Sequence, residues 1–172
     1  MDLRDYVRDI PDFPRAGILF RDITPLLLHA DALDQAVAAL ASACADLGPI
    51  QFVVAAEARG FILGAALARE LGAGFVPARK PGKLPAETVS AEYALEYGLD
   101  ALEVHADAFA DGARVLVHDD LLATGGTAGA LCELVTDLGG KIVGCAFLLE
   151  LAALGGRQRL TAHPIKTLIS YT

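Results

Sequence analysis

One segment of the sequence limits the possible folds more than any other. Residues 114–118 form an apolar run of strand length, Asp119 and Asp120 follow it, and after a turn residues 125–138 show the spacing of a helix. An apolar run that leads through a glycine-containing turn into a helix is typical of a buried parallel strand in a βα unit. The chain therefore has to form a sheet that helices cover.

The rest of the sequence continues this alternation. Helical patterns at 31–46, with Asp31 as the predicted cap, and at 60–71 alternate with apolar runs at 51–56, 74–78, 141–150 and 167–171. We expect an α/β fold with a mostly parallel central sheet flanked by helices, in a single domain over residues 1–172. Residues 79–99 break the pattern because they are polar and show little periodicity. Long loops of this kind are usually functional, and a small hairpin is expected between 88–93 and 101–105.

The composition excludes several classes of function. A net charge of −8 disfavours non-specific binding to nucleic acid, which depends on neutralising phosphates. The longest apolar stretches fall short of the roughly 18 residues that a membrane-spanning helix requires. The three cysteines are widely spaced, which predicts buried reduced thiols rather than a disulfide framework or a zinc site. We therefore expect a cytoplasmic protein without nucleic-acid or membrane partners.

The turn after the two aspartates has the composition of a phosphate site. Residues 124–127 read Thr-Gly-Gly-Thr and lie where a helix begins, so backbone amides and the helix dipole favour an anion there. Asp119 and Asp120 would repel a phosphate, but they can accept hydrogen bonds from sugar hydroxyls. The pattern therefore predicts a sugar phosphate as ligand. The simpler alternative is a surface pair of aspartates that caps an ordinary βα turn.

Four stretches of the chain resemble a known family. Residues 119–127 resemble the signature of the type I phosphoribosyltransferases, which bind 5-phosphoribosyl-1-pyrophosphate. Residues 13–27 are similar to the N-terminal hood of the adenine branch of that family, residues 57–61 to its pyrophosphate-binding loop, and residues 79–98 to its mobile loop. The resemblance covers nearly the whole chain. It implies a type I phosphoribosyltransferase-like fold with a small hood region over residues 1–30 and a mobile loop.

The resemblance also implies an activity. It indicates a transferase that joins adenine to the phosphoribosyl group of 5-phosphoribosyl-1-pyrophosphate, giving AMP and pyrophosphate, in a homodimer. Mg²⁺ is implied as a cofactor that is bound mainly through the pyrophosphate substrate, and no protein residue is assigned as its ligand. The catalytic residue implied is Glu96, which would handle the proton at N7 of adenine.

Three groups of binding residues follow from the same resemblance. Those for ribose and its 5-phosphate are Asp119, Asp120, Ala123, Thr124, Gly125, Gly126 and Thr127. Those for pyrophosphate are Arg59, Arg79, Lys80 and Lys83, and those for adenine are Leu19, Phe20, Arg21 and Leu151. The resemblance further implies a cis peptide bond between Glu57 and Ala58.

Simpler interpretations stand beside these assignments. Arg59 could pair with a nearby glutamate, Arg21 could pair with Asp22, and the cations of 79–83 could belong to a solvated loop. His118 is interpreted as a structural residue satisfied by a backbone carbonyl. For the whole chain, the alternatives are a regulator that senses the ligand without catalysis and an enzyme for another purine base such as xanthine.

Overall fold

The computed structural model describes residues 1–95 and 98–172. In chain order its strands and α-helices are β1 (Arg8–Pro11), β2 (Leu19–Asp22), α1 (Thr24–Leu28), α2 (Ala30–Ala43), β3 (Phe52–Ala56), α3 (Arg59–Glu70), β4 (Gly74–Ala78), β5 (Thr88–Leu95), β6 (Gly98–His105), β7 (Arg114–Leu122), α4 (Gly126–Asp137), β8 (Lys141–Leu151) and β9 (Ile165–Tyr171). Short 3-10 turns lie at Leu3–Tyr6, Ala45–Leu47, Ala152–Leu154 and Gly156–Arg159.

A five-stranded sheet forms the centre of the molecule, in the order β4-β3-β7-β8-β9. Each of its four neighbouring pairs is parallel. Successive side chains of a strand point to opposite faces, and Val53 and Val54 accordingly enter two separate cores. One core contains α2 and α3 and the other contains α4. The predicted single α/β domain, with a parallel sheet flanked by helices, is confirmed.

Two antiparallel hairpins lie outside this sheet. The N-terminal one pairs β1 with β2, and Arg8 lies opposite Asp22. The second pairs β5 with β6, each eight residues long, so the predicted hairpin is present but longer than expected. The prediction that 79–99 is largely irregular therefore holds for 79–87, but it was wrong for 88–95 and 98–99, which belong to strands. Ala91, Leu102 and Val104 alternate with more exposed neighbours and are buried in the core that contains α4.

The bounds of two elements near the site and in the helical layer also differ from the predictions. The helix predicted at 31–46 runs from Ala30 to Ala43, and His29 rather than Asp31 occupies the N-cap position. Strand β7 continues to Leu122, so Asp119 and Asp120 belong to the strand instead of following it. Among the described helices, none combines the length and apolar character needed to cross a membrane.

Candidate active site

A pocket lies where β7 leads into α4. It is lined by Arg59, from the start of α3, and by the continuous segment 119–128. The turn between the two elements depends on Gly125, whose φ of +83° lies in the left-handed region that favours glycine. A Cβ at this position would also lie only 2.7 Å from the carbonyl oxygen of Gly156. The sequence therefore fixes the shape of this turn by placing glycine where no side chain fits.

Two aspartates form one wall of the pocket. Asp120 is 4% exposed, and its Oδ2 atom lies 3.0 Å from Arg59 Nε while it accepts no hydrogen bond within the described structure. Asp119 Oδ1 accepts a hydrogen bond from the Asp120 backbone at 2.9 Å. Burial raises the pKa of both carboxyls; the charge of Asp120 raises the pKa of Asp119 further, whereas Arg59 opposes the shift at Asp120. The pair is thus a concentrated set of acceptors beside a cation.

The other predicted pyrophosphate residues gather around one carboxylate, that of Glu57. Lys83 Nζ lies 2.8 Å from Glu57 Oε2, and Arg79 Nε lies 3.3 Å from Glu57 Oε1. The backbone N–H of Lys80 donates to Glu57 Oε1 at 2.7 Å. Hydrogen bonding from Lys83 lowers the pKa of Glu57 despite partial burial. These side chains are therefore ion-paired and are not simply solvated, and the Glu57–Ala58 peptide bond is cis as predicted.

The ammonium group of Lys80 points to different partners. It pairs with Asp100 on β6, and its Nζ also lies 3.2 Å from the hydroxyl of Tyr93 on β5. A Cβ built on Gly126 would lie 3.6 Å from the Tyr93 ring. The β5–β6 hairpin thus connects the Lys80 side chain with the start of α4, where the pocket is.

None of the four predicted adenine residues is among those that line this pocket in the described structure, but Phe20 lies next to Arg59, which does. The guanidinium of Arg59 lies 4.9 Å from the centre of the Phe20 ring, which joins the hood to the pocket. Arg21 pairs with Asp9, not with Asp22, and its guanidinium lies 3.8 Å from the centre of the Tyr171 ring. The side chain of Arg21 is therefore already engaged within the protein. Leu19 is 45% exposed, and Leu151 lies beside Tyr171 in the β8–β9 register.

Comparison with known proteins decides the family. Residues 27–169 match the sequence family described as the phosphoribosyl transferase domain. The chain belongs to this family. An adenine phosphoribosyltransferase of Prochlorococcus marinus strain MIT 9313 is 55% identical over 173 aligned residues, with both chains covered completely. The resemblance inferred from the motifs is thereby confirmed.

Solved structures of the family superpose closely on this phosphoribosyltransferase. The adenine phosphoribosyltransferase of Thermoanaerobacter pseudethanolicus has a TM-score of 0.95 and 52% identity, with 98% of each chain covered. The APRTase of Giardia lamblia, solved as a complex with 9-deazaadenine, has a TM-score of 0.92 and 37% identity, with 99% of this chain and 97% of that chain covered. The fold is therefore shared over essentially the whole length.

The predicted turn residues line the pocket, but one predicted site residue of this phosphoribosyltransferase lies outside the part of the chain that the structure describes. Ala123, Thr124 and Thr127 line the pocket together with Gly125 and Gly126. The predicted catalytic residue, Glu96, lies outside the described residues. The expectation for His118 was half correct, since the side chain is completely buried in the sheet. Burial lowers the pKa of His118 to about 4, and hydrogen bonding with the backbone of Ala146 on β8 opposes this shift. Neither ring nitrogen, however, makes a hydrogen bond of good geometry within the described structure.

Sequence reasoning missed three polar partners in the site. Glu57 and Asp100 hold the cations of the 79–83 segment, and Tyr171 supports Arg21. A signal for Glu57 did exist, because Ala56 and Ala78 are opposite each other at the ends of neighbouring parallel strands. The residues that follow them, Glu57 and Arg79, must then lie close together. No local pattern points to Tyr171, which is near the other end of the chain from Arg21.

Proposed function

We propose that this phosphoribosyltransferase transfers the phosphoribosyl group of 5-phosphoribosyl-1-pyrophosphate to adenine, and that it releases AMP and pyrophosphate. The observation that carries the proposal is the position of Arg59. It lines the phosphate pocket, pairs with Asp120, and lies against the Phe20 ring of the hood. One residue thus brings the sugar-phosphate side and the aromatic side of the site together. The relatives named as adenine phosphoribosyltransferases support the choice of base.

The 5-phosphate and the ribose hydroxyls of the donor would match two different walls of the pocket. The 5-phosphate would bind to the amides of the turn at the start of α4, where the helix dipole favours an anion. Asp119 and Asp120 would accept hydrogen bonds from the 2- and 3-hydroxyls of ribose. Their position beside C1 would also stabilise positive charge on the sugar as the bond from C1 to the pyrophosphate oxygen breaks.

Pyrophosphate leaves with the electron pair of that bond, so negative charge develops on it. Cations stabilise such a leaving group, and we assign this role to Arg59, Arg79, Lys80 and Lys83. In the structure each of them is already held by a carboxylate, so the donor has to replace those partners. The adenine nitrogen then attacks C1, and Glu96 is the proposed residue that handles the proton at N7.

Mg²⁺ is proposed to enter with the donor. The described residues bring together no group of three or more His, Cys, Asp or Glu side chains suited to a metal. Mg²⁺ commonly keeps several waters and binds substrate phosphates with few protein ligands, so oxygens of the donor are the proposed ligands. Bound there, the ion would offset negative charge on the pyrophosphate.

The proposal extends to assembly and compartment. We propose a homodimer on the ground of the family resemblance. We also propose a cytoplasmic location, where reducing conditions would keep Cys132 and Cys145, whose sulfur atoms lie 3.9 Å apart, as thiols.

An activity screen tests the function directly. Purified protein is incubated with 5-phosphoribosyl-1-pyrophosphate, Mg²⁺ and one of adenine, guanine, hypoxanthine or xanthine, and the nucleotide formed is quantified. The proposal predicts AMP as the main product. Preference for xanthine would establish the alternative enzyme. Tight binding of the donor without turnover of any base would establish a ligand-sensing regulator.

A further inference from the structure

The Glu57 carboxylate is an unusual feature of a site that has to bind a polyanion. Its side chain is 13% exposed, and it faces the cationic segment that follows β4. Three groups converge on its two oxygens. Lys83 Nζ donates a hydrogen bond at 2.8 Å, the Lys80 backbone N–H donates one at 2.7 Å, and Arg79 Nε forms an ion pair at 3.3 Å without a hydrogen bond. A single carboxylate thus engages two of the four cations assigned to pyrophosphate.

This cluster borders the donor pocket. Glu57 precedes Arg59, which lines the pocket, by two positions in the chain. On the other side, Lys80 contacts Tyr93, and the Tyr93 ring lies beside Gly126 at the start of α4. The cluster is therefore connected to the pocket through Arg59 on one side and through Lys80 and Tyr93 on the other.

Carboxylates and phosphates compete for the same partners. Arginine and lysine side chains bind both groups through charge-assisted hydrogen bonds to oxygen. A pyrophosphate that reaches Arg79 and Lys83 must therefore break their contacts with Glu57. Once those contacts are broken, the carboxylate is a negative charge beside a negative ligand.

We propose that Glu57 is an internal competitor of pyrophosphate: it holds Arg79 and Lys83 while no ligand is bound, and it weakens the affinity for the pyrophosphate group. The inference rests on the proposed function only for the identity of the ligand. A positioning role has the opposite consequence, because a carboxylate that merely orients the two cations would strengthen binding.

The substitution Glu57→Gln shows whether Glu57 weakens or strengthens the binding of pyrophosphate. Glutamine keeps the length of the side chain and an oxygen that can accept the Lys80 N–H, but it removes the negative charge. Inorganic pyrophosphate is titrated into each protein by calorimetry, with Mg²⁺ and at near-physiological salt. We expect the dissociation constant of the variant to fall about three- to tenfold, the range that two partly exposed ion pairs can account for. Affinity for ribose 5-phosphate should stay the same, since its phosphate is assigned to the α4 turn.

Glu103→Gln is the matched control. Glu103 lies beside the same segment, where its Oε2 accepts the Gly82 N–H at 3.2 Å, and it makes no ion pair in the part of the chain that the structure describes. The substitution removes the same charge without releasing Arg79 or Lys83. We expect its pyrophosphate affinity to change less than twofold. If Glu57→Gln does not fold, Glu57→Asp takes its place. The shorter side chain should contact Arg79 and Lys83 less well, so the dissociation constant for pyrophosphate should again fall.

Each result has one meaning. Unchanged or weaker pyrophosphate binding by the Glu57 variant overturns the inference, and so does equal tightening by the Glu103 control, because the effect would then be one of general charge. A wild-type protein that does not bind pyrophosphate overturns both the inference and the proposed function. A protein that binds pyrophosphate as expected but fails to use adenine overturns the proposed function alone.

Discussion

The turn between β7 and α4 offers the sharpest test of how this site is built, through the substitution Gly125→Ala. Gly125 has φ and ψ angles of 83° and 6°, in the left-handed region. A non-glycine residue in this region costs about 1–2 kcal/mol. Alanine also stiffens the unfolded chain, which offsets about 0.4–1 kcal/mol of that cost. The backbone angle alone therefore predicts a small loss of stability.

Packing adds a second and larger contribution. The new Cβ would lie 2.7 Å from the carbonyl oxygen of Gly156 and 3.2 Å from the Cβ of Arg159. The nearer neighbour is backbone, so it cannot move away by a rotamer change. Inserting a methyl group into such a packed site costs about 1–3 kcal/mol. Together the two effects predict that Gly125→Ala lowers the free energy of unfolding by about 2–4 kcal/mol.

A neighbouring glycine provides the control. Gly129 lies inside α4 with a negative φ, and a Cβ there would meet no atom within 4 Å. Gly129→Ala should therefore stabilise the protein by up to about 1 kcal/mol, since alanine favours a helix. Urea denaturation of both variants gives the two free energies of unfolding, and calorimetry with ribose 5-phosphate measures binding to the turn. Equal stability of Gly125→Ala and the wild type would refute the described turn geometry and its contact with Gly156.

Four further outcomes are expected. Asp119→Asn and Asp120→Asn should each weaken donor binding by about 1.5–3 kcal/mol, measured by calorimetry, because each loses a charged hydrogen-bond acceptor. Glu96→Gln should slow AMP formation in a single turnover by about 10²–10⁴ with little change in donor binding. Sedimentation should give twice the monomer mass. Arg157→Ala should cost about 2–3 kcal/mol of stability near neutral pH, because it leaves the Glu150 carboxylate buried. Hydrogen bonding from Arg157 lowers the pKa of Glu150 below 4.5. The stability difference between wild type and Arg157→Ala should therefore have its full size above pH 4.5. It should disappear as the pH falls through the lowered pKa of Glu150, because the protonated carboxyl no longer pairs with the arginine.

The contradicting results are equally definite. Normal donor binding and turnover in both aspartate variants would remove the ribose assignment. A wild-type single-turnover rate in Glu96→Gln would show that Glu96 takes no part in catalysis. A monomer at working concentration would exclude the dimer. A stability difference for Arg157→Ala that persists below the Glu150 pKa would show that the arginine acts through packing, not through the ion pair.

Local patterns predicted the central sheet well. Strand β7 and helix α4 were evident because an apolar run, a glycine turn and a helical repeat follow one another without interruption. The β5–β6 hairpin was underestimated because its buried alternation involves only one face, which packs in the core that contains α4, while the other face is more exposed. The preference for His29 over Asp31 at the N-cap of α2 also has no local signal, since aspartate is the better capping residue.

The electrostatic partners of the site were harder to predict than its binding residues. The cations could be identified from their own segments, but their partners come from elsewhere: Asp120 for Arg59, Asp100 for Lys80 and Asp9 for Arg21. Each pairing depends on which elements become neighbours. Charge alone cannot select among 22 acidic side chains.

This pairing has a consequence for selectivity among phosphorylated ligands. The four cations assigned to pyrophosphate are each held by a carboxylate of the chain: Arg59 by Asp120, Arg79 and Lys83 by Glu57, and Lys80 by Asp100. Under the proposed assignments, a ligand with one phosphate, such as AMP, would fill the α4 turn without bringing further charge to replace these carboxylates. The donor would bring a pyrophosphate as well, and its negative charges would take over the cations. After the bond to C1 has broken, the carboxylates would compete with pyrophosphate for the same cations, and this competition would favour the release of pyrophosphate.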